Sequence, residues 1–367
     1  MFSLCSNKNN IRKGVIKTLH GDLKTPAFFP DATYGAVKML SLDDVKRTGI
    51  RQILCTTLHL HLKHGDKYIK RMGKLHKFIG WDYPIITDSG GWQVFSLIHQ
   101  TGKGKVTEEG AEFVMPDTGK KELLSPEKSI NIQANLRSDI MIVLDDPIIG
   151  SASYKENKKS VDITVEWAKR AKDEFLKRYQ LDNDKFEKPK KKRPLLFAVI
   201  QGGNYKKLRE ECADKLIDIG FDGYGYGGIL LKDNKKKTRE MLKYFSSLVP
   251  EDKIRYGMGV GKPDDIKFCI QNGYDLFDCV VPTRNGRHGQ CYTYFGSINL
   301  KSSKYKYDNR AIDKHCNCEA CKNLNNHPAA SRAYLYSLFK VKEITAMRLC
   351  SIHNLMYYNK LINSYKE

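Results

Sequence analysis

Apolar and polar positions alternate along this chain on two different periods. Short apolar runs at 52–57, 84–87, 140–144, 195–200, 224–226, 254–257 and 276–280 read as β-strands. Longer amphipathic stretches at 125–135, 160–176, 208–217 and 263–272 lie between them and read as helices. The first of these opens Ser125-Pro126-Glu127, a capping serine followed by proline at the first helical position. Repeated strand-then-helix alternation implies a parallel sheet, because the crossover helix returns the chain to the same edge. About eight such units over roughly 300 residues favour a closed barrel over an open sheet. The expected fold is therefore α/β, a (β/α)8 TIM barrel. It spans 1–298, with a basic surface loop at about 179–194. A small zinc-binding subdomain and C-terminal helices follow at 299–367, where a cysteine cluster and a helical tail change the character of the chain.

Composition narrows the class without fixing it. Of 367 residues, 41% are hydrophobic and 29% charged, as in a folded globular protein rather than a disordered one. No run approaches the ~20 apolar residues of a membrane-spanning helix. The N-terminal MFSLCSNKNNIRKG lacks a signal-peptide core, so secretion is not expected and the expected location is cytoplasmic. The net charge of +21 fits a polyanionic partner, and equally fits a lysine- and asparagine-rich composition spread over every surface. The KPKKKRP stretch at 188–194 has the form of a nuclear targeting signal, and a solvated loop accounts for it as well.

The residues that follow the strands carry the chemistry. Asp88-Ser89-Gly90-Gly91, Asp145-Asp146, Gln201-Gly202-Gly203, Gly227-Gly228, Met258-Gly259 and Asp278 all fall at strand C-terminal ends. In a parallel barrel these positions converge on one face. Any one of them is ordinary turn or cap chemistry. Three strands each delivering a carboxylate are harder to assign to structure alone. Facing carboxylates suit glycosidic chemistry, one attacking the sugar carbon while another handles the leaving group's proton. The reaction class is glycosyl transfer or hydrolysis. Separately, Cys316-x-Cys318-x2-Cys321 brings three thiolates within reach of one tetrahedral ion. His353, His315 and His327 are each available to close that site. Four such ligands leave no open position, which indicates a structural Zn2+; no organic cofactor is expected. The basic, glycine-bearing run Pro282-Thr283-Arg284-Asn285-Gly286-Arg287-His288-Gly289 suits phosphate contacts.

These runs resemble the tRNA-guanine transglycosylases. TDSGGWQVFSL at 87–97, VIQGG at 199–203, YGMGVGKPDD at 256–265 and LFDCVVPTRNGRHGQ at 276–290 match the family's signatures in order. The similarity runs from TPAFFPDAT at 25–33 to SIHNLMYYNKL at 351–361. The resemblance implies exchange of the wobble guanine of GUN-anticodon tRNAs (His, Asp, Asn, Tyr) for queuine or its 7-aminomethyl-7-deazaguanine precursor. It makes Asp278 the nucleophile, held covalently to the tRNA, and Asp88 the general acid/base. It places Asp88, Ser89, Asp145, Gln201 and Gly228 around the guanine-type base, with Trp92 and Met258 on its faces. Thr283, Arg284, Asn285, Gly286 and Arg287 fall in a loop that contacts tRNA. Cys316, Cys318, Cys321 and His353 fill the zinc positions, and a homodimer is implied.

The chain also departs from the family. The usual N-T-Y-H-L is Thr56-Thr57-Leu58-His59-Leu60, which implies weaker hydrogen bonds holding Asp88. The usual F-M-P-V-G-T is Phe28-Phe29-Pro30-Asp31-Ala32-Thr33, and Trp92 replaces a smaller aromatic. Pro147 after Asp145-Asp146 leaves the incoming base open, with a tilt toward queuine. Ile229-Leu230-Leu231-Lys232-Asp233 lacks the glycine and glutamate often found there. Rival readings are a non-catalytic subunit of a heterodimeric transglycosylase, a zinc-stabilised RNA-binding module without turnover, and exchange at another tRNA position or in DNA.

Overall fold

The computed structural model describes residues 2–115, 118–148, 151–228, 235–324 and 327–366. Its centre is an eight-stranded sheet: β1 (Ala27–Pro30), β2 (Ile53–Cys55), β3 (Ile85–Thr87), β4 (Ile140–Ile142), β5 (Leu195–Ile200), β6 (Gly223–Tyr226), β7 (Ile254–Gly257) and β8 (Leu276–Cys279). From β2 to β8 each strand pairs in parallel with the next in sequence, and β8 returns to pair with β1. The ring closes where Asp31 bridges Leu54 and the Ala32 N–H donates to the Leu54 carbonyl at 2.6 Å. This is a (β/α)8 barrel.

Both faces of each strand are covered, which is why LLFAVI and IMI are apolar throughout rather than alternating. The side chains still obey the two-residue period. Ala27, Phe29, Ile140, Ile142, Leu195, Phe197, Val199, Ile254, Tyr256 and Leu276 fill the barrel interior. Phe28, Met141, Leu196, Ala198 and Ile200 face the outer layer of helices. That parity decides which residues beyond the strand ends point into the barrel mouth.

The N-terminal end of the barrel is plugged. An antiparallel sheet (Phe2–Lys8, Ile11–Thr18, Gly21–Thr25) adds Ile16 and Leu23 to the interior core. Arg12 pins it, donating to Asp275 at 3.0 Å and to the Glu251 and Lys253 carbonyls, with both charged side chains wholly buried. With one mouth closed, only the C-terminal mouth is left to hold a ligand.

The helices start where local chemistry says they should. Ser125 caps Pro126–Leu136 by accepting from the Lys128 N–H at 3.1 Å. Tyr154–Tyr179 is longer than the apolar period 160–176 indicates, because a Ser153/Glu156 capping box starts it on polar residues. Within the basic stretch 179–194, Asn183–Glu187 is helical, and Phe186 and Arg193 are buried. The Arg193 guanidinium meets Asp222 at 2.7 Å. Helix Ile344–Asn363 packs on helix Val281–Arg287, where a side chain on Gly286 would strike the Ser351 backbone at 2.7 Å. Thus the C-terminal helix braces the segment that follows Asp278.

Candidate active site and metal centre

The interior parity set by Ile86, Leu276, Tyr256 and Val199 continues past the strand ends to Asp88, Asp278, Met258 and Gln201. Four strands therefore aim these side chains at the C-terminal mouth. Asp278 ends β8 and accepts on one oxygen from the Tyr256 hydroxyl at 2.6 Å and the Gly259 N–H at 3.0 Å. Burial pushes its carboxyl up to about 6 against the pull of those two donors, and the Asp31 charge adds to the rise. Asp88 accepts from the Thr57 N–H at 2.8 Å and from Gln93 Nε2 at 2.9 Å. Burial pushes it up to about 7 despite these bonds, helped by the charges of Asp31 and Asp278. The Thr57 donor is a backbone N–H, which a side-chain departure at that position does not remove.

Asp145 lies across the same mouth. Gln201 Nε2 donates to it at 2.8 Å and the Ser89 hydroxyl at 3.4 Å, so the residue beside Asp88 is wired to the next carboxylate. Burial lifts Asp145 to about 6. Asp146 rises to about 7 through burial and the Asp145 charge. Two glycines make room for this arrangement. A Cβ on Gly227 would sit 2.8 Å from the Gln201 amide, and one on Gly225 would sit 2.5 Å from Met258 Sδ. Gly228 follows with φ +111°. Trp92 opens the helix after Asp88, is 51% exposed and stacks on Phe95 at 5.5 Å.

The second cluster is closed rather than open. One ligand atom from each of Cys316, Cys318, Cys321 and His353 lies within 4.8 Å of the others, and three of the four residues are buried. His353 Nδ1 is 3.3 Å from Cys321 Sγ and 3.6 Å from Cys318 Sγ. Its Nε2 donates to the Tyr292 carbonyl at 2.7 Å, which leaves Nδ1 as the lone-pair side. Three soft thiolates and one oriented imidazole fit a tetrahedral metal with no coordination position to spare. Of the three candidate histidines, His353 is the one in the cluster.

A family model described as queuine tRNA-ribosyltransferase matches residues 6–367. The chain is 43% identical over 367 residues to the queuine tRNA-ribosyltransferase of Francisella tularensis subsp. novicida, covering 100% of this chain and 94% of that one. It is 42% identical over 361 residues to that of Shewanella sediminis, covering 98% and 90%. The chain belongs to the queuine tRNA-ribosyltransferase family.

In this queuine tRNA-ribosyltransferase family member, the segment 283–287 is helical where a loop was expected. Pro282 sits in its first turn and fixes a helical φ, while Gly286 serves close packing rather than a turn. Thr283 and Gly286 are buried, and Asn285 donates to the Tyr292 hydroxyl at 2.7 Å. Arg284 is exposed. Arg287 carries a buried Nη1 with no hydrogen-bond partner among the described residues. Residues 229–233 lie outside the described residues, whereas Pro147 is buried within them.

Motif reading did not single out Tyr256 or Gln93, which hold the two catalytic candidates. Parity gave a usable signal for Tyr256, two residues before Met258 on the inward face of β7. Gln93 was visible as one helical turn beyond Asp88.

Proposed function

We propose that this chain is a tRNA-guanine transglycosylase that replaces the wobble guanine of GUN-anticodon tRNAs (His, Asp, Asn, Tyr) with queuine or its aminomethyl precursor. The observation that carries the proposal is the set of three carboxylates, Asp88, Asp145 and Asp278, each held by its own donors at one barrel mouth. Family membership supplies the reaction class.

In the proposed reaction the ionised Asp278 attacks C1′ of the target nucleoside, forming a carboxyl ester as the C1′–N9 bond breaks. Guanine is a poor leaving group unless protonated, so Asp88 supplies a proton, which its raised affinity keeps available near neutrality. The incoming base then gives its N9 proton to Asp88 and attacks C1′, and Asp278 leaves as a carboxylate. Bond energy is conserved through the ester, so no nucleotide triphosphate is needed. Asp145 accepts from the N–H groups on the base's Watson–Crick edge, while Gln201 and the Gly228 N–H donate to its carbonyl. Ser89 orients Asp145. Met258 and Trp92 return part of the cost of unstacking the base. Arg284 and Arg287 face the phosphates, with Thr283, Asn285 and Gly286 fixing the helix that carries them.

The Cys316, Cys318, Cys321 and His353 cluster would hold Zn2+, which braces 299–367 against the barrel and takes no part in catalysis. Beside it, Tyr294 and Phe295 are 75% and 80% exposed. Their rings lie 5.4 and 6.3 Å from that of His315. An apolar patch of this kind suits a homodimer formed through the metal region. No described helix is long and apolar enough to cross a membrane, and a cytoplasmic site of action fits a tRNA substrate.

The test is incorporation of labelled guanine into an unmodified tyrosine tRNA transcript, comparing wild type with Asp278→Ala. Queuine and its aminomethyl precursor serve as competitors. Incorporation lost in the variant supports the reading, and the stronger competitor names the incoming base. No incorporation by folded, metal-loaded wild type into any of the four tRNAs overturns it in favour of a non-catalytic RNA-binding subunit.

A further inference from the structure

One carboxylate at the barrel mouth has no task in the exchange chemistry above. Asp31 follows β1, and the parity that sends Ala27 and Phe29 into the barrel interior sends Asp31 into the mouth above them. Phe29 is the register partner of Asp278, and Asp31 itself bridges Leu54 of β2. It is thereby lodged between the strand that delivers the nucleophile and the strand leading to Thr57, which holds Asp88. Its charge is felt at both catalytic carboxylates, raising each. Thr33 donates to Asp31 Oδ2 at 2.7 Å.

This placement is costly. A third carboxylate opposes ionisation of the other two, in a mouth that must admit a polyanion. The position is half-buried, the interior layer below is complete with Phe29, and the one hydrogen bond its carboxylate accepts from a side chain is that from Thr33. Two cationic or donor groups offset it. Burial raises the Asp31 carboxyl above its ordinary value; the Thr33 hydrogen bonds, and after them His59 and Arg287, pull it down without cancelling the rise. Both groups also have unspent donor or acceptor capacity: His59 Nδ1 and Arg287 Nη1 are buried without hydrogen-bond partners. A carboxylate has about four acceptor positions, of which Thr33 takes a minority. Asp31 thus keeps acceptor capacity at the mouth, with two unpartnered nitrogens on the residues whose charges reach it.

The chemistry of a polynucleotide says what an acceptor there can meet. The nucleophile attacks C1′, so its flanking groups reach the neighbouring C2′. In an internal RNA nucleotide the 3′ and 5′ oxygens are esterified, and the 2′-hydroxyl is the only free sugar donor. It is also the group by which a protein distinguishes RNA from DNA at a given position. We propose that Asp31 accepts a hydrogen bond from the 2′-hydroxyl of the nucleotide whose base is exchanged, making it the sugar-discriminating residue of the site. Arg287 draws the Asp31 proton affinity down against burial and meets the adjoining phosphate. The inference rests on the base-exchange reading and adds to it the residue that tells ribose from deoxyribose at the reacting position.

The experiment uses an anticodon stem-loop RNA and the same strand with a single 2′-deoxyguanosine at the exchanged position. The kcat/KM for guanine exchange is compared for wild type, Asp31→Asn and Asp31→Val. Deoxyribose alters glycosidic reactivity by itself, but identically for all three proteins, so the ribose-to-deoxyribose ratio is read relative to the variants. A hydrogen bond to a charged acceptor implies a ratio about tenfold or more higher in wild type than in Asp31→Val. Asp31→Asn, which keeps a neutral acceptor, falls between them. The wild-type ratio needs no variant to fold. Equal ratios in wild type and a folded Asp31→Val or Asp31→Asn overturn the sugar assignment while leaving base exchange intact. Absence of exchange on either strand by all three proteins overturns the base-exchange reading and this one with it.

Discussion

The Tyr256 hydroxyl donates to Asp278 Oδ1 at 2.6 Å from the neighbouring strand, and the Gly259 N–H reaches the same oxygen at 3.0 Å. One oxygen of the carboxylate is thus held from the flank, and in the proposed reaction the other attacks the sugar carbon. The tyrosine is wholly buried and its own proton is held well above the ordinary phenol range, first by burial and then by the Asp278 charge. It therefore donates at any working pH. Tyr256→Phe removes one of the two bonds that favour the ionised nucleophile. Guanine exchange by this variant is expected to fall about tenfold in kcat/KM. The acidic limb of its pH profile should move upward. A lower rate with an unmoved limb would reduce the tyrosine to packing.

The pH profile of the wild type follows from the same carboxylates. The proposed reaction needs Asp278 ionised and Asp88 protonated. Asp278 titrates at about 6, so the rate falls as pH drops through that value. Asp88 titrates at about 7, so the rate falls again as pH rises beyond it. The expected kcat/KM profile is a narrow bell with its maximum between the two, and its limbs belong to the interacting pair rather than to single residues. A plateau extending to pH 9 would remove Asp88 from the role of acid.

The barrel itself was legible because seven of its strands are apolar runs separated by helical periods. The first strand was not marked, since Ala27–Pro30 is four residues flanked by Pro26 and ending in Pro30, and proline ordinarily signals a turn. It is tolerated here at the strand's end, where β1 meets β8. The antiparallel insert Gly104–Val106, Ala111–Val114 and Lys121–Leu124 carries little strand signal, because its strands are three or four residues long and bury only Ala111, Phe113 and Leu124. Site residues at strand ends were legible by position and motif. What holds them was less so: the Thr57 and Gly259 donors are backbone groups, which carry no letter of their own. Segment 283–287 reads as a loop because Gly286 looks like a turn residue, and its packing on Ser351 is visible only in three dimensions.

Metal removal should act on the fold before it acts on chemistry. His353 lies on helix Ile344–Asn363, which packs on helix Val281–Arg287 directly after the nucleophile strand. Cys318→Ser leaves two thiols and an imidazole in a site built for four ligands. The variant is expected to lose its one equivalent of metal, measured by elemental analysis, and about 3 kcal/mol or more of stability. Proteolysis should open first between 300 and 330. Stability and cleavage pattern unchanged by complete metal loss would show that packing alone holds the subdomain.

The nucleophile should be a burden to the fold. Asp278 has its proton affinity raised from the ordinary 3.8 to about 6, so the folded protein binds a proton there that the unfolded chain has already released. Below the unfolded value both states are protonated and no penalty exists. As pH rises from there to about 6 the folded state gives up its advantage, and above 6 the whole penalty of the buried charge is present. Asp278→Asn keeps an acceptor for Tyr256 and Gly259 without the charge. It is expected to abolish exchange while melting roughly 2–5 °C higher than wild type at pH 8. The gap should close as the pH approaches 4, because the wild-type carboxyl is then neutral as well. A variant that melts lower than wild type at pH 8 would mean that the two donors stabilise the carboxylate by more than its burial costs. The raised proton affinity, and the acidic limb of the rate profile derived from it, would then both be wrong.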